Sequence, residues 1–276
     1  MRRILYVAIS LSVVAGGIGA IVWLAGSGGN PVQPPESEDA FLLDVSTREV
    51  QYGPHPWQVA DIVFPHPYDY PINSNSPVVI WIHGGGWSSG SRKDIEEKVK
   101  GFVNRTGITC LNIDYSLGTR EAPCWPQARY DIQQAVDFAL GEELPAVSGP
   151  VYLYGYSAGG ALAVKYALDN PGIEAVVAVS APLSFADWEA SWPHADLVTG
   201  FGDDWRAEDP ASMTHLSWPH LVMLHGSDDP IVPMEVNRSV HTALESSRLI
   251  EIPGGDHLLA GKEHIEFAEA LKLMLQ

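Results

Sequence analysis

The stretch that decides the fold of this chain runs from Val151 to Gly160 and reads VYLYGYSAGG. Its first four residues form a continuous apolar run, which is typical of a strand buried on both faces of a sheet. A helical pattern follows, so Ser157 stands on the sharp turn between a strand and a helix. Such a turn projects a serine hydroxyl above the sheet, and small residues two positions away on either side permit a close backbone approach. By itself the pattern also fits an ordinary glycine-rich turn between a strand and a helix. The rest of the chain must show whether Ser157 is a nucleophile or part of such a turn.

Short β-rich runs alternate with helical patterns on both sides of this turn. The predicted strands are Trp57–Phe64, Pro77–Ile82, Ile108–Asp114, Val151–Tyr154, Ala175–Ser180, Leu221–His225 and Arg248–Ile252. The predicted helices are Ile95–Asn104, Ala128–Leu140, Ala158–Asp169, Met234–Ser246 and Glu263–Leu275. This alternation predicts an α/β fold with an open, mostly parallel sheet flanked by helices. Ligands gather at the carboxyl ends of the strands in such a sheet, so we expect the chemistry just after the apolar runs.

A second glycine-rich loop follows another apolar strand and reads HGGGW from His83 to Trp87; we term it the oxyanion loop. Acyl transfer through a tetrahedral intermediate requires two or three N–H donors that point at the developing oxyanion. Consecutive glycines can turn their N–H groups inward without obstruction by a Cβ atom. Gly85 and Gly86, with the N–H of Ala158, are therefore the candidates for an oxyanion hole. The alternative is a glycine loop that is merely flexible.

Two further segments supply an acid and a base, each after a predicted strand. One contains Asp228 and Asp229, and the other ends in Asp256 and His257. The chain order of Ser157, then an acid, then His257 is the order of the α/β-hydrolase architecture. His257 would take the serine proton, and a carboxylate would orient the imidazole. Spacing alone leaves Asp228 and Asp229 open, whereas Asp256 is disfavoured because adjacent residues rarely point the same way.

The other nine of the ten histidines carry no predicted chemistry. His83 and His225 sit in the loops just described and are expected to stabilise them. No grouping of His, Cys, Asp and Glu has the spacing of a metal site, so we expect no metal or organic cofactor. Cys110 lies in an apolar run and Cys124 in a proline-rich loop, which favours two free thiols over a disulfide.

The first 25 residues differ from the remainder in composition and charge. Arg2 and Arg3 precede Ile4–Ala25, a run of 22 residues without a charge. A helix of that length spans about 33 Å, against about 30 Å for the hydrocarbon core of a bilayer. The basic flank predicts that residues 1–25 form a signal anchor, with the N-terminus in the cytoplasm and the rest exported. A cleaved signal peptide, and hence secretion, is the alternative.

Residues 26–40 have the composition of a flexible linker, and residues 41–276 are predicted to form the catalytic domain. The chain carries 16 Lys and Arg against 34 Asp and Glu, a formal net charge of −18. Nucleic acid is therefore excluded as a partner, because phosphate binding requires clustered basic residues. The expected partner of the catalytic domain is a small-molecule ester.

These motifs together resemble the esterase branch of the α/β-hydrolases. This branch includes hormone-sensitive-lipase-like carboxylesterases and the bacterial acetylxylan/feruloyl esterase-like (BD-FAE) group. The resemblance extends from about Asp61 to the C-terminus. It rests on the segments Trp81–Ser91, Asn112–Val136, Tyr154–Gly160, Thr214–Pro233 and Gly254–His257.

The resemblance implies a role for one of the two neighbouring aspartates. In similar esterases the acid is the fifth residue of the HGxxD segment, which selects Asp229 over Asp228. The family's frequent Asp-Tyr-Arg after the fourth strand is here Asp114-Tyr115-Ser116. This departure leaves the catalytic residues unchanged. It weakens the assignment of the chain to one subgroup of these esterases.

The function implied is hydrolysis of short-chain carboxylic esters through an acyl-enzyme on Ser157. The stretch between Ser180 and Leu221, which we term the cap, is too short for the helical lid of a true lipase and predicts a fairly open site. It contains four tryptophans that could stack on sugar rings, as an acetyl esterase of sugars requires, or could simply seal the cap: Trp188, Trp192, Trp205 and Trp218. Two other functions stay open, an acyltransferase with the same triad and a non-catalytic, membrane-tethered binding module on this fold.

Overall fold

The structure is a computed structural model that describes residues 44–66, 77–141, 144, 149–191, 197–213, 218–244 and 247–274. The predicted anchor (residues 1–25) and linker (residues 26–40) lie outside the described residues and stay predictions. Within the described ranges, no helix has both the length and the apolar character needed to cross a membrane.

Among the described residues, eight strands form one sheet at the centre of the fold. In chain order, β1 to β8 are Val45–Gln51, Val59–Pro65, Val78–Ile82, Thr109–Ile113, Val151–Tyr156, Ala175–Val179, His220–Gly226 and Ser247–Ile252. The strand order across the sheet is β1-β2-β4-β3-β5-β6-β7-β8. β2 is antiparallel to both β1 and β4, and all other neighbours are parallel.

Seven α-helices accompany the sheet in the part of the chain that the structure describes. In chain order, α1 to α7 are Glu96–Thr106, Gln127–Leu140, Ala158–Asp169, Phe185–Ser191, Leu197–Phe201, Glu235–Ala243 and Glu263–Met274. The predicted α/β architecture is therefore confirmed, with a mostly parallel sheet flanked by helices. The predicted helix over Ile95–Asn104 is preceded by a 3-10 turn over Arg92–Ile95, which Ser91 caps through its side chain.

The one strand that the sequence pattern did not predict is β1. Its side chains are half-buried or exposed along the whole strand, so it presents no apolar run to detect. It lies at the edge of the sheet and pairs with β2 in an unbroken register from Val45–Pro65 to Gln51–Val59. Partial burial of an edge strand weakens the alternation on which sequence reasoning depends.

The buried side chains form two apolar layers, one on each face of the sheet. Alternate residues of β3 point into opposite layers, with Ile80 in one and Trp81 in the other. α2, α3 and α6 contribute to the layer that contains Ile80, and α1 and α7 contribute to the layer that contains Trp81. Cys110 and Cys124 are buried free thiols. Burial on both faces explains why the central strands read as continuous apolar runs.

Candidate active site

Ser157 occupies the turn between β5 and α3 in a conformation that L residues seldom adopt. Its backbone has φ 50° and ψ −122°, and such strain costs about 1–3 kcal/mol and persists only where the surroundings hold it. The flanking glycines are a steric requirement. A Cβ atom at Gly155 would lie 2.4 Å from the carbonyl oxygen of Gly159, and one at Gly159 would lie 2.3 Å from that of His83. The serine N–H donates to the carbonyl of Val179 at 2.8 Å, which ties the turn to β6.

The acid and the base meet in the loops that follow β7 and β8. Nδ1 of His257 donates to Oδ2 of Asp229 at 2.8 Å, and the Asp229 side chain is only 1% exposed. Oδ1 of Asp229 accepts from the N–H groups of Ile231 and Val232 at 2.8 and 3.0 Å. Because Nδ1 holds its proton for the carboxylate, Nε2 is the ring nitrogen that can accept a proton from a hydroxyl.

The two other candidate carboxylates serve different purposes. Asp228 is exposed and accepts from the hydroxyl of Ser227 at 2.9 Å. Asp256 accepts from the N–H groups of Leu258 and Ala260 at 3.1 and 2.9 Å, so it stabilises the turn after His257. The structure therefore brings Asp229 to the imidazole.

A second histidine also contacts Asp229, and sequence reasoning assigned it only a general stabilising role. Nε2 of His225 lies 3.3 Å from Oδ2 of Asp229 and donates to the carbonyl of Val232 at 2.7 Å. The Asn237 side-chain amide donates to Nδ1 of His225 at 3.0 Å, which sets the proton on Nε2. His225 is completely buried. Its one Nε2–H is thus shared between the carbonyl of Val232 and, at longer range, the carboxylate of Asp229.

These donors decide the protonation of the acid. Burial by itself raises the pKa of Asp229. The hydrogen bonds from His225 and His257, the charge of His257 and the N–H of Val232 outweigh burial and hold the pKa well below its usual range. Asp229 is therefore a carboxylate at neutral pH.

This depressed pKa predicts a pH-dependent contribution to stability. The folded-state pKa lies below the unfolded value of about 3.9, so the ionised carboxylate stabilises the native state above about pH 4. That contribution is lost as the pH falls through the folded-state pKa. Denaturant unfolding of wild type and Asp229→Asn from about pH 6 to about pH 3 should give a difference in unfolding free energy that shrinks as the pH falls. A difference that grows on acidification would contradict the prediction.

The oxyanion loop lies directly against the serine. A Cβ atom at Gly84 would lie 3.1 Å from Cβ of Ser157, and Nε1 of Trp87 donates to the carbonyl of Ala158 at 3.2 Å. Gly85 and Gly86 have φ 116° and 59°, and Trp87 has φ 62°. Among the described residues, none accepts a hydrogen bond from the N–H of Gly85, Gly86 or Ala158. Three donors thus remain free beside the hydroxyl.

His83 stabilises the oxyanion loop through a hydrogen bond and a ring contact. It is buried, its Nδ1 donates to the carbonyl of Gly84 at 2.7 Å, and its ring stacks on Tyr115 with centroids 4.4 Å apart. The Tyr115 hydroxyl donates to the carbonyl of His83 at 3.0 Å. Burial lowers the pKa of His83, while the carbonyl of Gly84 and the carboxylates of Asp114 and Asp94 act in the opposite direction. A neutral imidazole therefore holds the loop.

Gly85→Ala is predicted to damage this loop. A Cβ atom there would lie 2.0 Å from the backbone carbonyl oxygen of Ser89, in addition to the strain of a positive φ. The loop must shift to accommodate it, so we expect kcat to fall by about 10²- to 10³-fold, as when one oxyanion donor is lost. Ester turnover and Tm measure the two effects.

Gly261→Ala is the matched control for this change. Gly261 also has a positive φ, of 72°, and a Cβ atom there would meet no described heavy atom within 4 Å. It should lower Tm through strain alone and leave kcat near the wild-type value. Equal losses of kcat in the two variants would contradict the steric argument.

The predicted site residues emerge at one edge of the sheet. Ser157, Asp229 and His257 follow β5, β7 and β8, which run parallel within the sheet. The structure joins Asp229 to His257 directly, whereas no hydrogen bond links the hydroxyl of Ser157 to His257 within the described part of the chain. No group of three or more His, Cys, Asp or Glu among the described residues could hold a metal ion.

The cap covers this edge with a packed aromatic cluster. Trp87 meets Phe185, Trp188 and Phe201 edge to face, with ring centroids 6.0, 5.8 and 5.2 Å apart. Trp188 and Trp205 are 6% and 5% exposed, so neither offers a free face to a sugar ring. These two tryptophans seal the cap, which was the second of the two roles that the sequence left open. Trp218 is half-buried, and Trp192 lies outside the described residues.

Comparison with known proteins supports the resemblance to esterases that the sequence motifs indicated. The BD-FAE family model matches residues 61–178. Esterase LipC of Mycobacterium tuberculosis is 27% identical over 269 residues, which cover 84% of this chain and 65% of LipC. The chain spans 48% to 65% of the length of the first three curated relatives that it matches.

Solved structures show the same fold. An inhibited form of esterase B from Lactobacillus rhamnosis superposes with a TM-score of 0.67 at 18% identity, over 86% of this chain and 88% of that chain. A truncated carbohydrate esterase from gut microbiota superposes with a TM-score of 0.65 at 17% identity, over 87% of this chain and 99% of that chain. The chain has the α/β-hydrolase fold, and its sequence is similar to the esterases of that superfamily.

Proposed function

We propose that this protein is a serine hydrolase of short-chain carboxylic esters. Ser157 is the nucleophile, His257 the general base and Asp229 the acid that orients it. The observation that carries the proposal is the 2.8 Å hydrogen bond from Nδ1 of His257 to a buried carboxylate, together with a serine in a strained turn after a parallel strand of the same sheet. Gly85 and Gly86 accompany that serine with free N–H groups, as acyl transfer requires.

The proposed reaction has two halves. Nε2 of His257 takes the hydroxyl proton while Oγ of Ser157 attacks the ester carbonyl carbon, and the carbonyl oxygen becomes an oxyanion facing the N–H groups of Gly85, Gly86 and Ala158. The imidazolium then protonates the leaving alkoxide, and the C–O bond breaks to leave an acyl-enzyme and an alcohol. Water then attacks the acyl carbon while His257 takes its proton, the bond from that carbon to Oγ of Ser157 breaks, and the imidazolium returns the proton to Oγ to give the acid and the free serine.

The preference for small acyl groups is supported by the packing of the cap. Aromatic side chains fill the space around Trp87, which leaves less room for a long acyl chain. Acetyl esters of sugars are a narrower candidate within this class. Burial of Trp188 and Trp205 removes the stacking argument for those two side chains, so that candidate depends mainly on the match to the BD-FAE family model and on the likeness to a carbohydrate esterase.

The test is a chain-length series of p-nitrophenyl esters, from acetyl to dodecanoyl, run beside acetylated xylan and acetylated monosaccharides. We expect turnover that is highest for the short chains and absent in Ser157→Ala. Release of acetate from the glycans would support the narrower candidate, and its absence while simple esters turn over would remove it. An added alcohol that captures most of the acyl group would instead favour an acyltransferase.

Labelling of the purified protein with an organophosphate tests the remaining alternative. We expect one covalent adduct, located on Ser157. If the protein neither turns over esters nor accepts this label, a non-catalytic binding module becomes the better description.

We also propose that the catalytic domain lies outside the cytoplasm. The support is the basic pair Arg2 and Arg3 before Ile4–Ala25, a run long enough to span a bilayer. Protease added to spheroplasts that express the full chain should cleave the domain, and N-terminal sequencing of the protein distinguishes an anchor from a cleaved signal peptide. Protection from the protease until the membrane is lysed would contradict export.

A further inference from the structure

A buried carboxyl group lies beneath the nucleophile turn and has no part in the reaction just described. Glu266 of α7 is completely buried. Its Oε2 lies 3.2 Å from Nζ of Lys98 on α1. Its Oε1 accepts from the hydroxyl of Tyr154 at 2.6 Å and also from that of Tyr156. A carboxyl group removed from water is costly unless it is paired in this way, so its partners hold it in one position.

One of those partners adjoins the nucleophile. Tyr156 directly precedes Ser157, and its ring lies in the apolar layer on the α1 and α7 side of the sheet. Nζ of Lys98 lies 5.4 Å from the centroid of that ring. The backbone of Tyr156 adjoins the oxyanion loop, because a Cβ atom at Gly84 would lie 3.1 Å from the carbonyl oxygen of Tyr156. Tyr156 therefore links Glu266 to both the serine and the oxyanion loop.

The strained backbone of Ser157 requires such a link. A residue with φ 50° relaxes unless neighbouring contacts determine its conformation. On the carboxyl side of the serine, α3 begins at once and makes its first turn. On the amino side, the N–H of Ser157 itself donates to the carbonyl of Val179, and Tyr156 provides the nearest side chain with a directional contact to a fixed partner.

We infer that Glu266, paired with Lys98, is a positioning residue that acts through the Tyr156 hydroxyl to hold Ser157 in its reactive conformation. The inference rests on the proposed function, since it concerns the same serine. Misplacing a reacting atom by about 1 Å can cost about 10²-fold in rate. Loss of the hydrogen bond between Tyr156 and Glu266 should therefore lower kcat and the reactivity of the serine, and leave KM unchanged.

The chain provides a matched pair of variants for the test. Tyr156→Phe and Tyr154→Phe each remove one hydroxyl that donates to the same Oε1 of Glu266. Both rings are completely buried and lie on the same face of β5. The two changes differ in that only Tyr156 adjoins Ser157. A purely structural role for Glu266 predicts equal effects from the pair.

We expect Tyr156→Phe to lower kcat and the rate of phosphonate labelling at Ser157 by roughly tenfold to a hundredfold, with KM unchanged. Tyr154→Phe should lower Tm as much as Tyr156→Phe does, because each change removes one buried hydrogen bond. It should change kcat by less than about twofold. Glu266→Gln, which keeps an acceptor oxygen, should retain more of kcat than Glu266→Leu. The two tyrosine variants keep the test decisive even if Glu266→Leu fails to fold.

The readouts separate the two possible failures. A wild-type protein that accepts no label at Ser157 overturns both the proposed function and this inference. A labelled wild type with an unchanged rate in Tyr156→Phe, or with equal losses in the two tyrosine variants, overturns this inference alone.

Discussion

Ser157→Ala is expected to lower kcat for ester hydrolysis by about 10⁵- to 10⁶-fold, with KM nearly unchanged. The hydroxyl is the only group in the proposed mechanism that forms a bond to the substrate, and the oxyanion loop alone retains a small residual rate over water. His257→Ala should cost about as much, because serine and imidazole act as one unit. The double variant should therefore be no slower than either single variant. Steady-state kinetics with p-nitrophenyl acetate measures all three.

Ser157→Gly provides a stability control for this prediction. Glycine accepts φ 50° without strain, so this variant should be as inactive as Ser157→Ala but more stable than it, by about 1 kcal/mol. A Tm for Ser157→Gly at or below that of Ser157→Ala would show that the turn is not strained. Retention of turnover in either variant would remove Ser157 as the nucleophile.

Asp229→Asn is expected to lower kcat by about 10⁴-fold through the wrong imidazole tautomer. Oδ1 of Asp229 accepts from two backbone N–H groups, those of Ile231 and Val232. The carbonyl oxygen of an asparagine must take that place, which turns its NH₂ group towards Nδ1 of His257. Nδ1 then has to accept, the ring proton moves to Nε2, and Nε2 can no longer take the proton of the serine hydroxyl.

Asp228→Asn is the matched control, one residue away. Asp228 is exposed and contacts Ser227 rather than His257, so kcat should stay within about twofold of the wild-type value. The pair is measured with the same esters as the serine variants. A large loss in Asp228→Asn with a small loss in Asp229→Asn would show that the acid is wrongly assigned.

Much of the fold was predictable because its central strands are buried on both faces. Continuous apolar runs such as Val151–Tyr154 and Ala175–Val179 are visible in the sequence, and the glycines after them mark the turns that expose side chains. β1 was not predicted, because an edge strand with exposed side chains has no continuous apolar run. The two roles considered for the cap tryptophans could not be separated either, because burial of Trp188 depends on Phe185 and Phe201 folding around Trp87.

The sequence by itself determined the alternation of strands and helices, the sharp turn at Ser157 and the order of serine, acid and histidine. These features are local, since each depends on residue types within one strand and the turn that follows it. Only the tertiary structure showed that Asp229 contacts His257, that His225 adds a second imidazole to the same carboxylate, and that Glu266 lies beneath the nucleophile. Those contacts join residues up to 110 positions apart. Their geometry follows from strand order and side-chain packing, which no local pattern contains.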